Sequence, residues 1–402
     1  MAVNMIAQTP LFIALVGLVS STIYLLLVLI GALRFRLAHP KAAAAGDRDA
    51  ALPPVSVLKP LHGLEPRLEQ NLESFFRQDY PRYEVLFAVH EENDPAAALA
   101  RQVCARHPQV PGRVLVSGRP WPNPPAYSFH CMSEAAAYEI LVTSDSDVEV
   151  SPRYLREVVP PLLDPKVGMV TCVYRGKNAG GFWSGLDAIG MSVEMTAGVL
   201  VVNLLEGMKF GLGPTIAVRK DSLASIGGYP VLGQYFSNDF VIGNLIDKAG
   251  YRVVLSGHVI DHVVPPMTFA RLWEREVRWA KGTVYSRPKG HLGTGLTFAM
   301  PYGLLGLLAA VGMGRPFMGA MFLGAAIANR LIEAWVVGWG VVRDRQAQRY
   351  LWLYPLRDLL GFLVWCASYL SPRAVWRDSR YELVPGGKIV RRESPPRSTP
   401  RE

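Results

Sequence analysis

Long apolar stretches lie at both ends of the chain, with shorter apolar segments between them. Residues 11–33 read LFIALVGLVSSTIYLLLVLIGAL and contain no charged residue. About 20 residues of helix cross the hydrocarbon core of a bilayer, so this run is long enough to span it. A cleaved signal peptide is the alternative interpretation. It is disfavoured because no Lys or Arg precedes the run and the run exceeds the apolar region of a signal peptide.

Near the C-terminus the chain contains further apolar stretches. They lie at about 296–313, 317–341 and 351–371. The first is short and contains Pro301, so it is as compatible with a re-entrant or interfacial helix as with a span. The second carries Arg330 and Glu333, three residues apart. We expect these two to form an ion pair inside a helix bundle, with a contact to a lipid headgroup as the alternative.

The distribution of basic residues predicts the orientation of the chain in the membrane. Arg34, Arg36 and Lys41 follow the first apolar run, which places the N-terminus outside and the next domain in the cytoplasm. The side of the C-terminal tail stays open, because three spans would put it outside whereas its basic residues favour the inside. After Tyr381 the chain is rich in Pro, Ser and Arg, and we expect a disordered end.

Four regions follow from this pattern. We expect a transmembrane helix at 1–35, a cytoplasmic catalytic domain at 50–290, membrane helices at 294–372 and a basic, partly disordered tail at 373–402. The sequence therefore predicts a multi-pass integral membrane protein, in the inner membrane if the source is bacterial.

The middle of the chain alternates between two kinds of segment. Short β-branched runs at 55–60, 84–90, 113–118 and 139–147 predict strands, and segments at 68–78 and 95–107 have helical spacing. Strands separated by helices indicate an α/β domain with a mostly parallel sheet. Ligands of such sheets bind beyond the carboxyl ends of the strands.

Composition excludes several other classes of protein. Half of the residues are hydrophobic and 19% are charged, a low share for a soluble protein. The net charge is +9, but the basic residues lie beside apolar runs rather than in a stripe with aromatics. This favours an anionic membrane surface over nucleic acid as a partner. The four cysteines have neither CxxC spacing nor a suitably placed His, which argues against a zinc site or a disulfide framework.

Acidic residues follow two of the predicted strands. Asp94 comes after the second strand, and Asp145 and Asp147 close the fourth as Asp-Ser-Asp. Alternate side chains of a strand share a face, so the last two carboxylates are expected to point the same way. Hard oxygen ligands in this position suit Mg²⁺ or Mn²⁺ on a diphosphate. A solvated strand end or a helix cap is the alternative interpretation of this motif.

Two segments further along complete the candidate chemistry. Asp239 lies at the start of a helical pattern, where an acid is also favoured by the helix dipole alone. Arg275 and Arg278 lie one helical turn apart and are suited to clamp phosphates. Trp279 offers a face for a sugar or for the membrane interface. An amphipathic helix lying on the membrane is the alternative for this segment.

Taken together, these segments resemble the inverting GT-A glycosyltransferases, most closely glycosyltransferase family 21, the ceramide glucosyltransferases. The resemblance runs from about 10 to 385. It is carried by SVLKPLHGLEPRLEQNLESFFRQDYPRYEVLFAV, SDSD, GMKFGLGPTIAVRKDSL, RxxRW and the segment from Trp376 to Leu383. The chain departs from the family pattern at Pro125, where a lysine is usual, at Asn238, where an acid is common, and over 190–206.

The resemblance implies a role for each candidate residue. Asp94 would hold the nucleotide, and Asp145 and Asp147 would bind the metal and UDP. Asp239 would be the general base. Diphosphate and acceptor would be held by Arg275, Arg278 and Trp279, and Lys59 would line the nucleotide pocket.

The implied reaction is inverting transfer of a sugar, expected to be glucose from UDP-glucose, to a hydroxyl of a membrane lipid, expected to be ceramide. A hopanoid or another lipid alcohol is the alternative acceptor. A processive polysaccharide synthase and a non-catalytic membrane sensor are the competing interpretations.

Overall fold

Apolar helices at both ends of the chain pack against a mixed α/β domain. The computed structural model describes residues 2–39, 52–345, 347–376 and 379–392. Helix α1 (Ala2–Ala38) ends against the domain, where Ala32 and Phe35 join the main core. His39 lies against Gly257, where a Cβ atom would approach the Cβ of His39 to 2.6 Å. The C-terminal end of α1 is therefore the end that meets the α/β domain.

The middle of the chain forms an eight-stranded sheet. Its strands are β1 (Val55–Pro60), β2 (Tyr83–Val89), β3 (Gly112–Val116), β4 (Ile140–Thr143), β5 (Val148–Glu149), β6 (Val167–Asn178), β7 (Ile216–Arg219) and β8 (Arg252–Val264). The spatial order is β3-β2-β1-β4-β7-β6-β8-β5. β1 pairs in parallel with β2 and β4, β2 with β3, and β6 with β8, whereas the pairings of β7 and β5 are antiparallel. The predicted α/β class with a mostly parallel sheet is confirmed.

Helices cover the sheet. They are α2 (Leu68–Phe76), α3 (Pro95–Arg106), α4 (Pro124–Ala135), α5 (Tyr154–Val158), α6 (Phe182–Ile189), α7 (Thr196–Leu205), α8 (Lys220–Ser225), α9 (Gly228–Leu232) and α10 (Asn238–Lys248). β2 and β4 are buried at every position, which accounts for their continuous apolar runs. α3 and α4 each begin with an Asx cap and a proline, at Asp94-Pro95 and Asn123-Pro124.

The remaining helices follow the sheet toward the C-terminus. They are α11 (Phe269–Ser286), α12 (Pro288–Thr294), α13 (Met300–Gly312), α14 (Pro316–Ala334), α15 (Ala347–Tyr350) and α16 (Tyr354–Ser368), with a π-helical stretch, Trp335–Val341, continuing α14. α13 and α14 pack closely through small residues, since a Cβ atom on Gly303 would lie 2.4 Å from that of Ala326. Large apolar side chains such as Phe12, Leu308 and Phe317 are more than half exposed, as expected for a surface in contact with lipid.

Among the described residues, three helical segments are long and apolar enough to cross a membrane. They are Gln8–Ala38, Phe182–Leu205 and Pro316–Val341. The second was not predicted from the sequence, and it is mostly buried within the protein. The expected span at 351–371 contains instead the 15-residue helix α16. At 1.5 Å per residue, α16 is about 22 Å long, less than the ~30 Å hydrocarbon core. The 13-residue α13 is also shorter than a span.

A small antiparallel sheet forms at residues where disorder was expected. Its strands are β9 (Arg373–Trp376), β10 (Ser379–Leu383) and β11 (Ile389–Arg392). Tyr381 and Leu383 are buried against Phe236 and Tyr285. The expectation of disorder after Tyr381 is thus wrong for the part up to Arg392, because alternate side chains of this sheet find an apolar surface on the α/β domain. Residues 393–402 lie outside the described residues, as do Lys41 and Arg377.

Candidate active site

The Asp-Ser-Asp motif lies in the turn between β4 and β5. β4 ends at Thr143, two residues earlier than the motif. The strand alternation expected for Asp145 and Asp147 therefore does not apply, because both residues are beyond the strand. The turn is fixed from outside: Ser146 Oγ donates to Glu65 Oε2 (2.6 Å) and Asn71 Nδ2 donates to the carbonyl of Ser146 (3.1 Å).

Lys59, on strand β1, holds this turn in place. Its side chain is fully buried, and Nζ donates to the carbonyl of Asp145 (2.6 Å) and lies 3.8 Å from the centre of the Phe75 ring. Burial lowers the pKa of Lys59 to about 7, although the carboxylates of Asp145 and Asp147 favour its charged form. The structure places Lys59 behind the acidic turn.

Negative charge is concentrated at Asp145. Burial raises the pKa of Asp145 well above its ordinary value, and the nearby carboxylates of Asp147 and Asp239 raise it further. Lys59 acts in the opposite direction but does not compensate. Asp145 is thus a carboxylate whose ionised form lacks sufficient positive charge in the protein itself.

Asp147 faces a basic neighbourhood. Its Oδ2 lies 3.2 Å from Nε2 of His262 on β8, and the same nitrogen lies 3.3 Å from Arg275 Nη2. Burial raises the pKa of Asp147, but His262, Arg275 and Lys59 outweigh this and bring it to about 2. Arg275 is held in turn by the fully buried Asp187, 3.1 Å away. The two acids of the motif therefore have opposite electrostatic environments.

Asp239 lies in the first turn of α10 and is held by a glycine-containing segment. Gly213 N donates to its Oδ2 (3.0 Å), and Gly211 N donates to its carbonyl (3.0 Å). A Cβ atom on Gly211 would lie 2.8 Å from that carbonyl, so the close approach requires glycine there. Burial raises the pKa of Asp239, and the backbone hydrogen bonds partly offset this. Gly211-Leu-Gly213 thus serves as a cradle for Asp239.

A single cavity of about 860 Å³ connects the acids with the membrane helices. Asp145 and Asp239 line it on the α/β side, together with Arg278 and Trp279 of α11. Its walls continue to α1, α7, α14 and α16 and are mostly apolar. Four of the predicted site residues therefore share one cavity, which is open to both a polar and an apolar ligand.

The other predicted residues surround this cavity less directly. Arg275 stacks on Trp279, with its guanidinium carbon 4.5 Å from the ring centre, while its nitrogens contact Asp187 and His262. Asp94 caps α3 by accepting from Ala96 N (2.9 Å), and it also accepts from Gly63 N (3.0 Å). Asp94 thereby joins the ends of β1 and β2, at the carboxyl edge of the sheet.

The residues of the turn fit a divalent cation completed by a ligand. Across the described ranges, no three His, Cys, Asp or Glu side chains gather into a metal site of their own. Mg²⁺ commonly takes only one or two protein carboxylates and completes its shell with phosphate oxygens and water. Asp147 Oδ1 is buried and has no hydrogen-bond partner among the described residues, and Asp145 has uncompensated charge. This donor set is the one expected for a cation shared with a diphosphate.

Ion pairs occupy the end of the cavity inside the helix bundle. Arg330 lies 2.9 Å from Glu333 and 3.1 Å from Asp358, and all three are at most 3% exposed. The predicted pair between Arg330 and Glu333 is confirmed. Asp358 also accepts from the first backbone N–H groups of α13, at Ala299 and Met300. These contacts join α13, α14 and α16.

Sequence reasoning missed several residues that contact the predicted ones. His262 and Asp187 position Asp147 and Arg275, and Arg357 pairs with Glu194 (3.1 Å) and Glu276 (2.6 Å). None of these stands in a recognisable motif. The only signal was a charged residue within an apolar stretch, as for Glu194 and Arg357.

Comparison with known proteins identifies the family. The sequence profile of glycosyl transferase family 21 matches residues 9–389. The chain belongs to glycosyl transferase family 21. The resemblance found in the sequence is thereby confirmed, and the protein is a glycosyltransferase whose candidate site lies between a strand-end acidic turn and a membrane-facing helix bundle.

Individual relatives of this family 21 protein have low sequence identity to it, and they match it over different lengths. Ceramide glucosyltransferase 1 of Caenorhabditis elegans is 25% identical over 354 residues, covering 85% of this chain and 74% of that protein. The ceramide glucosyltransferase of Komagataella phaffii is 36% identical over 101 residues, covering 24% of this chain and 20% of that protein. A solved mannosyltransferase, PcManGT from Pyrobaculum calidifontis in complex with GDP-Man and Mn²⁺, aligns with a TM-score of 0.47 and 18% identity, covering 87% of this chain and 98% of that one.

Proposed function

We propose that this family 21 enzyme transfers glucose from UDP-glucose to the primary hydroxyl of ceramide and inverts the configuration of the sugar. The observation that carries the proposal is the shared cavity, which has Asp145 and Asp239 on one side and apolar walls from α7 and α16 on the other. A nucleotide sugar and a lipid must meet for this reaction, and the cavity offers each a matching surface. Names of the relatives in Caenorhabditis elegans and Komagataella phaffii support ceramide as the acceptor.

Asp239 is proposed as the general base. A lipid hydroxyl attacks the anomeric carbon efficiently only if its proton is accepted in the same step. Asp239 lines the cavity and its raised pKa makes it a better proton acceptor than an ordinary aspartate. The backbone N–H of Gly213 holds one carboxylate oxygen in place. A single displacement then converts an α-linked donor into a β-glycoside.

Asp145 and Asp147 are proposed to hold Mg²⁺ or Mn²⁺ together with the UDP diphosphate. When bound, such a cation neutralises charge on the leaving phosphate. Asp147 is kept ionised by His262 and Arg275, and Asp145 opens onto the cavity. Arg278 and Trp279 line the same cavity and are proposed to orient diphosphate and acceptor. Asp94, Lys59 and Arg275 are proposed to support the nucleotide side of the site.

The catalytic domain and the C-terminal tail are proposed to share the cytoplasmic side. The C-terminal end of α1, with Arg34 and Arg36, meets the α/β domain, and β9–β11 pack on the same domain. Because elements in contact outside the bilayer lie on one side, the chain crosses an even number of times between α11 and β9. A cysteine at residue 3 is expected to react with an impermeant reagent from outside, and one at residue 70 only after permeabilisation.

Product analysis tests the proposed function. Purified enzyme is incubated with UDP-glucose and a short-chain ceramide, and UDP release and the lipid product are measured by a coupled assay and mass spectrometry. We expect stoichiometric UDP and β-glucosylceramide. UDP release with a hopanoid or another lipid alcohol but not with ceramide would change the acceptor. A polymeric product would instead favour a polysaccharide synthase, and failure to consume any nucleotide sugar would overturn the proposal.

A further inference from the structure

A pair of opposite charges lies within the apolar part of the cavity, away from the acidic turn. Glu194 comes from the π-helical stretch Gly190–Met195 between α6 and α7, and Arg357 comes from α16. Both side chains line the cavity. π-Helical turns are rare and occur frequently at functional sites. The mechanism described above uses neither residue.

Two glycines provide the space for this pair. A Cβ atom on Gly190 would lie 2.3 Å from Arg357 Nε, and one on Gly361 would lie 3.2 Å from Glu194 Oε1. Any larger residue would displace one member of the pair. Glycine at these two positions therefore leaves room for the side chains of Arg357 and Glu194.

Arg357 has hydrogen-bonding capacity that the protein does not use. Its Nη2 serves Glu276 and Glu194, at 2.6 and 3.1 Å. Its Nε and Nη1 are buried and have no hydrogen-bond partner among the residues that the structure describes. The side chain is only 4% exposed, so these donors are costly to leave unsatisfied. Glu194, by contrast, is 35% exposed and opens toward the cavity. A ligand group that both accepts and donates would satisfy the pair.

We propose that Glu194 and Arg357 form a polar subsite for the acceptor lipid, which binds the hydroxyl or amide groups next to the reacting hydroxyl. This inference rests on the proposed function. An amide carbonyl or hydroxyl oxygen accepts from Arg357, and an amide N–H or hydroxyl donates to Glu194. The subsite therefore selects lipids that carry a hydrogen-bond donor and acceptor in their headgroup region.

The balance of charge disfavours a phosphate at this subsite. Arg357 is shared by Glu194 and Glu276, and Arg330, which lines the same cavity, is shared by Glu333 and Asp358. Carboxylates thus outnumber guanidinium groups two to one around the bundle end of the cavity. An anionic headgroup would meet like charges in a region of low dielectric. A neutral amide- or hydroxyl-bearing lipid does not incur this repulsion.

Helix α11 connects this subsite with the residues proposed to orient diphosphate and acceptor. Glu276, which pairs with Arg357, lies on α11 between Arg275 and Arg278. Trp279 follows three residues later, roughly one helical turn or ~5 Å along the axis. A lipid whose headgroup region contacts Arg357 therefore remains close to the side chains proposed to orient diphosphate and acceptor.

Competition between lipid acceptors tests the subsite. Full-length enzyme in detergent is given UDP-glucose with an N-acyl amino alcohol, a diacylglycerol or a polyprenyl phosphate, and kcat and KM are measured for each. We expect the wild type to prefer the N-acyl amino alcohol. Glu194→Gln and Arg357→Lys should each raise the KM of this acceptor by about 10-fold, the scale of one lost hydrogen bond to a charged group. The KM for UDP-glucose and the kcat should change less than about threefold, because the donor site is separate.

Asp358→Asn is the matched control. Asp358 lines the same cavity and pairs with an arginine, but both of its oxygens already have partners, at Arg330 and at the start of α13. We expect it to lower thermal stability while leaving the preference between the two neutral acceptors, the N-acyl amino alcohol and the diacylglycerol, unchanged.

Several outcomes would overturn the inference while leaving the transferase function intact. They are an unchanged acceptor preference in both Glu194→Gln and Arg357→Lys, an equal loss with all acceptors, and a wild-type preference for polyprenyl phosphate. If both variants fail to fold, the acceptor preference of the wild type alone decides. An enzyme that uses none of the three lipids and releases no UDP would instead contradict the proposed function itself.

Discussion

Two groups of buried charges lie along the same cavity and are neutralised in different ways. In the helix bundle, Glu333 and Asp358 each contact the guanidinium of Arg330. At the acidic turn, Asp145 instead receives Lys59 only at its backbone carbonyl, and its carboxylate is surrounded by other acids. In the first group both carboxylates contact a guanidinium, whereas at the turn His262 and Arg275 offset the charge of Asp147 but Lys59 does not offset that of Asp145. Asp145, whose charge is not offset, indicates where a cation binds, and the paired carboxylates indicate where helices are joined.

Removal of divalent metal is the strongest test of this contrast. If Asp145 and Asp147 hold a catalytic cation, EDTA should reduce transfer by ~10³ or more, since a bound metal contributes several kcal/mol of transition-state stabilisation. Mg²⁺ or Mn²⁺ should restore it, and the melting temperature should change little. Full activity in chelator would remove the metal role from both residues.

Removal of Arg330 tests whether the ion pairs of the helix bundle stabilise the fold. Arg330→Met leaves Glu333 and Asp358 buried without a counter-charge, which should lower the free energy of unfolding by about 3–5 kcal/mol. Unfolding by SDS titration in detergent measures the effect. Arg315→Met, an exposed arginine before the same helix, is the control and should be nearly neutral. A neutral Arg330→Met would show that the bundle does not depend on its ion pairs.

Asp239→Asn separates the proposed base from the metal-binding acids. The amide keeps the size of the side chain but cannot accept a proton, so transfer should fall by ~10² or more. UDP binding measured by calorimetry should stay within a few-fold, whereas Asp145→Asn should weaken it in the presence of metal. Asp247→Asn, on the same helix but paired with Lys209 at the surface, is the matched control. Near-normal transfer by Asp239→Asn would assign the base to another residue.

The pH dependence of transfer gives a second measurement on Asp239. A general base is active when deprotonated, so the rate should fall as the pH decreases through its pKa. Because burial raises the pKa of Asp239, the acidic limb should lie above the value of ~3.9 for an unperturbed aspartate. Asp239→Asn should abolish this limb in the residual activity. A limb that persists unchanged in the variant belongs to another group.

Asp94 should show the smallest effect, because it has a structural and a proposed binding role at once. Asp94→Ala removes the cap of α3 and should cost about 1 kcal/mol of stability. Asp94→Asn retains the cap, since asparagine is an equally good capping residue, and removes only the charge. We therefore expect Asp94→Asn to weaken UDP binding at unchanged melting temperature. Equal UDP affinity in Asp94→Asn and wild type would leave Asp94 with the structural role alone.

The first half of the sheet was predictable because its strands are buried on both faces. β1, β2 and β4 appear in the sequence as apolar runs between helical segments, and their positions were predicted to within a residue or two at most ends. The exception is the end of β4, where Ser144 to Asp147 continue the alternation of the strand but form a turn. Hydrogen bonds from Lys59 and Asn71 shape that turn, and they come from distant parts of the chain.

The candidate site was predictable only as far as its motifs extend. Asp145, Asp239, Arg278 and Trp279 do line one cavity, as the order of the motifs implied. His262, Glu194 and Arg357 were not predicted as site residues, because the partner of each lies far away in the sequence. The segment 182–205 was missed as a membrane-length helix, since two charged residues interrupt it and their partners become visible only in three dimensions.

The small C-terminal sheet has a consequence for the order of events during synthesis. The backbone just ahead of Asp239 bonds to this sheet, with Phe236 N donating to the carbonyl of Gly387 (2.9 Å) and Ile389 N donating to that of Gln234 (2.9 Å). Residues 387 and 389 are synthesised after every helix up to Ser368. A nascent chain therefore holds its reaction centre unfinished while it is still being threaded into the bilayer. The contacts beside Asp239 therefore form only once residues 387 to 389 have been made.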